Sequence, residues 1–487
     1  MIKDGNMNRK CKIITAFCAV GITAAALLFG CTLKNDSLPT VTMVIPGEQQ
    51  SDLKSVLEEA NKITSKEIGA NIDIQFVDMN AYSGKMLMRV ATKDKSYDIS
   101  WTGYGGRYTL MTQKGAYSPL TDLINNSAPE LWDAIEKYMW EDSTINGEIY
   151  AVPNSQITFY QYAYAIQGDL AEKYGFDKDK IDDPKEFEPF LEKIKNGEKG
   201  IYPFCGNYRV DMWMNTKYEK LNDYLYIRTD NDYGRVLNIY EVPEYINGIK
   251  TLYEWYQKGY IRADRAIVVE ETSDLQNNKY AVWDLRWKPN VESQLRQTYG
   301  KEYKVVKVGE PYMNNKNSTD TMLAINKNSE NKEKAIKLIS LLNTDKEFYN
   351  LICYGIKDKH YILDSDNKVE YINDSGYNLK GTSWQFGNQF NALIIKGESD
   401  DVWEETKRLN KEARKSPISG FYFNPNPVAD KLAKIGAIFS EYYGIGYSGG
   451  DYEAKWNEMK EKLEEAGYAE VQREMQSQLN DFLNKKQ

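Results

Sequence analysis

The sequence predicts an α/β fold built around an open, parallel sheet. Two observations predict it. Strand-like runs alternate with helical repeats from Thr40 to Trp101, and the loops richest in polar and aromatic residues follow the carboxyl ends of the strands. The first strand is TVTMVI (40–45), closed by Pro46-Gly47. Leu53, Val56, Leu57, Ala60 and Ile63 then recur at helical spacing between Ser51 and Lys66, with Ser51-Asp52 placed to cap the start. NIDIQFV (71–77) alternates as a second strand, a helix follows around Tyr82–Thr92, and YDISW (97–101) is the third strand. A β-α-β-α-β order gives parallel strands with helices packed on them. Ligands in such sheets sit beyond the carboxyl ends of the strands. Those ends carry Pro46–Gln50, Asp78–Asn80 and WTGYGGRY (101–108). The last loop is no phosphate cradle, since neither Gly-Lys-Ser/Thr nor GxGxxG is present.

Ahead of this unit lies an exported leader. Lys3, Arg9, Lys10 and Lys12 precede the apolar run Ile13 to Phe29, the layout of a secretory signal. The run ends Leu28-Phe29-Gly30-Cys31, which resembles a bacterial lipobox. That resemblance implies removal of residues 1–30 and lipidation, as by palmitate, of Cys31, followed by a polar tether over 31–39. An uncleaved membrane anchor is the other reading, and both tether the chain at the extracellular face of the cell membrane. The net charge is −9, and without the leader's surplus of three positive charges it is −12. Such a balance excludes nucleic acid and broad adhesion to anionic lipid. Beyond the leader and Cys31 only Cys205 and Cys353 remain, in no CxxC pair, so a disulfide framework is not readable. Two buried thiols and one disulfide both remain open.

Further along, helices are predicted at Leu120–Ile124, Pro129–Glu141, Asp169–Tyr174, Pro184–Lys195, Val242–Gln257, Pro289–Tyr299 and Ser329–Leu342. Strands are predicted at Ile157–Ile166, Ala281–Leu285 and Thr321–Ile325, and one helical tail at Tyr452–Lys485.

Catalytic chemistry is thinly represented. The single histidine, His360, has no partner His or CxxC for a metal site. No GxSxG or HExxH occurs. Asp364-Ser365-Asp366-Asn367 begins like a calcium loop but lacks its glycine at the sixth position and its glutamate at the twelfth, and reads as a turn. No metal and no cofactor are expected. Aromatic residues point elsewhere. The chain holds 37 Tyr and 10 Trp against 15 Phe, and these two residue types combine a flat apolar face with a polar handle. A sugar ring has an apolar face and a rim of hydroxyls, which such rings and neighbouring amides satisfy together. Trp101, Tyr104, Arg107, Trp213, Trp283, Trp287 and Trp384 lie at predicted strand ends or loops and are the candidate ligand contacts.

From Thr40 onward the chain resembles the family 1 extracellular solute-binding proteins of bacterial ABC importers, and more narrowly the LplA-like lipoproteins. The matching stretches are YDISWTG (97–103), KGAYSPLTDLI (114–124), EIYAVPNS (148–155), DLAEKYGFD (169–177), YGIKDKHY (354–361), WQFGNQF (384–390) and SPISGFYFNPNPV (416–428). The resemblance implies a two-lobe type II periplasmic-binding-protein fold with hinge-crossing strands. It also implies a carbohydrate ligand, most often an oligosaccharide, delivered by a monomer to ABC permease subunits. Mapped by analogy, lobe 1 comprises 40–155 plus 281–342, and lobe 2 comprises 156–280 plus 343–487. Within WQFGNQF, Trp384 and Asn388 are the preferred cleft candidates, as ring platform and planar hydrogen-bonder. The alternatives are a secreted glycoside hydrolase or lyase with an aromatic cleft, and a peptide receptor or adhesin.

Overall fold

The structure is a computed structural model that describes residues 38–486 except 104–106, 207–213, 215–216, 231, 269–270, 380 and 448. The leader, Cys31, Tyr104 and Trp213 therefore lie outside the described residues.

The predicted parallel unit forms. Thr40–Pro46 pairs in parallel with Asn71–Val77 on one side and with Ile99–Gly103 on the other. Thr321–Ile325 then joins antiparallel to Ile99–Gly103, and Ala151–Pro153 closes the far edge. Ile99–Gly103 and Thr321–Ile325 are buried at every position, as a sheet covered on both faces requires. The helix Leu53–Glu67 turns Leu53, Val56, Ala60 and Thr64 onto it, spaced three or four residues apart. Helices Lys332–Thr344 and Lys346–Tyr354 complete this first core.

A second sheet runs in the order Arg414–Lys415, Tyr303–Met313, Tyr160–Gln167, Tyr280–Arg286, Tyr202–Phe204. Its alternation separates two cores. From the strand Tyr160–Gln167, Tyr164 and Ile166 enter one with the carboxyl-terminal helices, while Ala163 and Ala165 enter the other, beneath the helix Val291–Tyr299. The tail predicted as one helix is two, Tyr452–Glu465 and Tyr468–Lys486, broken at Gly467 with φ +87°.

The expected lobe boundaries need correction. Residues 281–342 do not fall wholly in the first lobe, because Tyr280–Arg286 pairs antiparallel with Tyr160–Gln167 from Val282↔Ile166 to Arg286↔Tyr162. Tyr303–Met313, a strand the periodicity did not reveal, pairs with the other edge of Tyr160–Gln167. Conversely, the segment from Phe348 to Ala392, assigned to the second lobe, supplies Phe348, Tyr349, Ile352, Tyr377 and Phe386 to the first core. The reason is burial: Tyr280–Leu285 is buried at six consecutive positions, and only the interior of the second sheet covers both of its faces. The chain thus crosses between sheets near 154–159, again near 314–320, and a third time near 396–409.

A polar knot ties the second crossing to the helix Lys137–Ser143 and to the carboxyl-terminal segment. The buried Asp142 carboxylate accepts hydrogen bonds from Ser318 Oγ and Ser419 Oγ, and the Asp142 carbonyl accepts from Tyr422 Oη, each at 2.5 Å. Gly103 sits beside the same crossing with φ +133°, and a Cβ there would collide with the Asp320 carbonyl.

Candidate functional site

Between the two sheets lies a cavity of about 480 Å³. Tyr354, Tyr371, Ser383 and Trp384 approach from the first core, Gln156 from the first crossing, Lys288 and Gln294 from the side of the third core, and Trp403 from the third crossing, where it packs against the first core. Trp384 is positioned from below. Its ring meets Trp101 edge to face at 6.2 Å, and Trp101 meets Tyr82 the same way at 5.7 Å. Trp101 Nε1 donates to Thr321 Oγ1 at 2.6 Å, and Asn154 Nδ2 donates to the same oxygen at 3.0 Å and to the Trp384 carbonyl at 3.2 Å. Thr321 lies on a strand buried throughout, so the indole that faces the cavity rests on the most rigid part of the first sheet.

Across the cavity the helix Val291–Tyr299 presents Gln294 and Gln297 on one face. Gln294 Nε2 donates to Glu398 Oε1 at 2.9 Å and Gln297 Nε2 to the Lys396 carbonyl at 2.7 Å, so this wall is stitched to the third crossing. Burial lowers the Lys288 ammonium below the ordinary lysine range, with Glu398 pulling the other way. The arrangement is a half-apolar, half-amide surface that covers a ring and answers hydroxyls.

A second groove opens where Arg107, Tyr108 and Thr109 face Lys316, Thr319 and Tyr422. It continues past Asp223, Tyr224 and Phe423 into a space of about 420 Å³. Lys316 Nζ donates to the Leu221 carbonyl at 3.1 Å.

The sequence candidates distribute unevenly. Trp384 lines the cavity and Arg107 the groove. Trp101 is 4% exposed and supports Trp384 from behind. Trp283 and Trp287 face the third core: Trp283 packs edge-on to Tyr299 and Tyr303, and Trp287 lies between Phe159 and the Lys307 ammonium. Neither lines the cavity. Residues 283, 285 and 287 share one face of a strand, and the helix Val291–Tyr299 covers that face. Asn388 caps its own short turn, accepting the Phe390 N–H at 3.0 Å and donating to the Asn343 carbonyl at 3.4 Å, while its neighbour Gln389 reaches the cavity. Gln156, Lys288, Gln294 and Trp403 escaped sequence reasoning. Gln294 and Gln297, one helical turn apart on a predicted helix, were the available signal.

Among the described residues no group of three His, Cys, Asp or Glu side chains could hold a metal ion. Asp364 instead caps the hairpin turn between Tyr361–Leu363 and Val369–Tyr371, its carboxylate accepting the N–H groups of Asp366 and Lys368 at 2.9 Å. Cys205 and Cys353 are free, buried thiols in separate cores.

Two α/β lobes joined by three crossings, with a ring-and-amide cavity between them, define a two-lobe solute-binding protein. A carbohydrate ABC transporter substrate-binding protein of Streptococcus pneumoniae serotype 4 (strain ATCC BAA-334 / TIGR4) is 30% identical over 479 residues, 96% of each chain. The chain belongs to this family of carbohydrate ABC transporter substrate-binding proteins, which bind and do not catalyse. In structure it is similar to the N-glycan transport solute binding protein (NgtS) of Streptococcus pneumoniae, with a TM-score of 0.82 and 29% identity over 92% of this chain and 100% of that one. Against the same protein in complex with Man5GlcNAc the TM-score is 0.72, with 29% identity over 92% and 99% of the two chains. A domain of unknown function (DUF3502) matches residues 417–484. In this structure that stretch belongs to the second core through Ile418, Phe421, Leu463 and Met475, and it supplies Ser419 and Tyr422 to the knot around Asp142.

Proposed function

We propose that the protein captures an oligosaccharide in the cleft between its lobes and hands it, unaltered, to the permease of an ABC importer. The observation that carries this reading is the cavity that the Trp384 indole lines together with Gln156, Gln294 and Ser383. A buried aromatic ring removes roughly 150–250 Å² from water. At about 25 cal/mol per Å² that is several kcal/mol before ordering costs, enough for micromolar binding with two or three such rings. Trp384 is the platform, Trp101 its support, and Arg107 a contact for the ligand's far end. Amides and hydroxyls meet the sugar rim.

Complexes of the pneumococcal relative with Man1GlcNAc and Man5GlcNAc favour an oligosaccharide over a single sugar. The lower TM-score against the Man5GlcNAc complex than against the first NgtS structure supports a change of lobe arrangement on binding. Such closure is driven only by the difference in affinity between the two arrangements. The protein acts as a monomer at the extracellular face of the membrane, held there by lipid on Cys31. Among the described residues no helix is long and apolar enough to cross a membrane.

Titration calorimetry with a panel of mono- and oligosaccharides tests the binding role, and the absence of heat and of thermal shift across the panel would refute it. Reducing-sugar release from a polysaccharide would favour the hydrolase reading instead. Cys31→Ser tests the anchor: the variant is expected in the medium, and its retention in the membrane fraction would count against lipidation.

A further inference from the structure

The cavity beside Trp384 contains a charge that the protein leaves unanswered. Lys288 follows the second sheet's strand Tyr280–Arg286, is half-buried, and lines the cavity wall. Its ammonium makes no hydrogen bond and no ion pair with any described residue, although its backbone carbonyl accepts the Val291 N–H at 3.2 Å. A cation held at a cavity wall away from bulk water, with no protein partner, is satisfied best by a ligand anion that enters the cavity. The neighbouring charges do not match it. Glu398 influences Lys288 from beyond ion-pair distance, and its carboxylate is already engaged by Gln294 Nε2 at 2.9 Å and the Ile395 N–H at 3.3 Å. Arg286, also nearby, has the same sign and spends its charge on Asp320 and the Phe159 carbonyl.

The second groove shows the same imbalance. There Lys316 is surrounded by Asp223, Glu219 and Asp320, whereas the exposed Arg107 guanidinium has no hydrogen-bond or ion-pair partner among the described residues. A surplus of basic residues does not explain this, because the chain's net charge is −9.

We infer that the oligosaccharide taken by this cleft is acidic, and that an anionic substituent on the sugar ring seated at Trp384 pairs with Lys288. The inference rests on the cavity being the oligosaccharide site. The shared chemistry is a charge-assisted hydrogen bond from the ammonium to a carboxylate or sulfate oxygen, which selects for charge as well as shape.

The test is titration calorimetry with matched oligosaccharides that differ at one residue: a neutral hexose, the corresponding hexuronic acid, and the sulfated hexose. The acidic members are expected to bind about tenfold more tightly than the neutral one or better. That ratio should shrink at high salt, fall close to one in Lys288→Gln, and persist in Lys288→Arg. A response to the uronate alone or the sulfate alone would identify which anion fits. Equal affinity for neutral and acidic members, or a preference that survives both high salt and Lys288→Gln, would overturn the inference and leave the cleft a sugar site. Failure of every member to bind would overturn both readings together. The salt series uses the unsubstituted protein, so the inference stays open to refutation even if Lys288→Gln does not fold.

Discussion

Trp384 and Trp283 are both indoles near strand ends, yet they are expected to fail differently. Trp384 is half-buried with its free face on the cavity, so Trp384→Ala should weaken oligosaccharide binding by roughly 10- to 100-fold, the value of one ring face removed from water. Trp283 packs against Tyr299 and Tyr303 inside the third core, so Trp283→Ala should cost roughly 3–5 kcal/mol of stability while the folded fraction keeps its affinity. Calorimetry and denaturant unfolding on the two variants separate the outcomes. The lone histidine is structural in the same sense. His360 is fully buried and its Nδ1 accepts the Ile356 N–H at 2.8 Å, which puts the ring proton on Nε2, 2.8 Å from Asp52 Oδ2. Hydrogen bonds from Lys359, Ser55 and His360 hold the Asp52 carboxyl well below the usual carboxylate range. A depressed acid contributes stability above its ordinary pKa of about 3.9 and loses it as pH falls through the folded value. Asp52→Asn should therefore be less stable than the wild type at neutral pH, and the gap should narrow progressively as the pH falls below about 4 toward the depressed folded value. Urea midpoints across that range measure it, and a gap independent of pH would be inconsistent with the arrangement.

At the scale of elements, the ends of strands matter more than their middles. Ile99–Gly103 terminates at a glycine whose φ of +133° and whose contact with the Asp320 carbonyl both exclude a side chain. Gly103→Ala is expected to lower stability by about 1–3 kcal/mol or more, through backbone strain and displacement of the 314–320 crossing. Because Thr321 lies just beyond Asp320 and holds Trp101, the same change should also weaken sugar binding, which calorimetry would detect. Lys346–Tyr354 ends differently, at Gly355 with φ +79°, where a Cβ would strike the His360 ring. The YGIKDKHY stretch is thereby held as a compact turn that fastens Leu53–Glu67 to the later hairpin.

For the whole molecule the argument is about closure. Three crossings and the Asp142 knot join two sheets whose facing ends carry the cavity walls, so sugar that touches both walls favours the arrangement that brings them together. Small-angle scattering should show a smaller radius of gyration at saturating oligosaccharide. An unchanged curve, with binding verified in the same sample, would show that the lobes do not move.

What local pattern encodes was legible from the chain alone. Alternation and helical spacing named the strand Thr321–Ile325 to the residue, and the helices Leu53–Glu67 and Pro243–Gln257 to within a turn, because neighbouring side chains decide those elements. The strand Tyr303–Met313 was not legible: its lysines, Gly309 and Pro311 mask an edge-to-centre pairing that only the strand Tyr160–Gln167 supplies. Which sheet received Tyr280–Arg286, and hence which face of Trp283 and Trp287 was covered, depended on pairing with residues far away in sequence. The site shows the same division. An aromatic surplus announced a sugar-like ligand, but the meeting of Trp384 with Lys288, Gln294 and Trp403 exists only because the crossings fold three distant segments around one space.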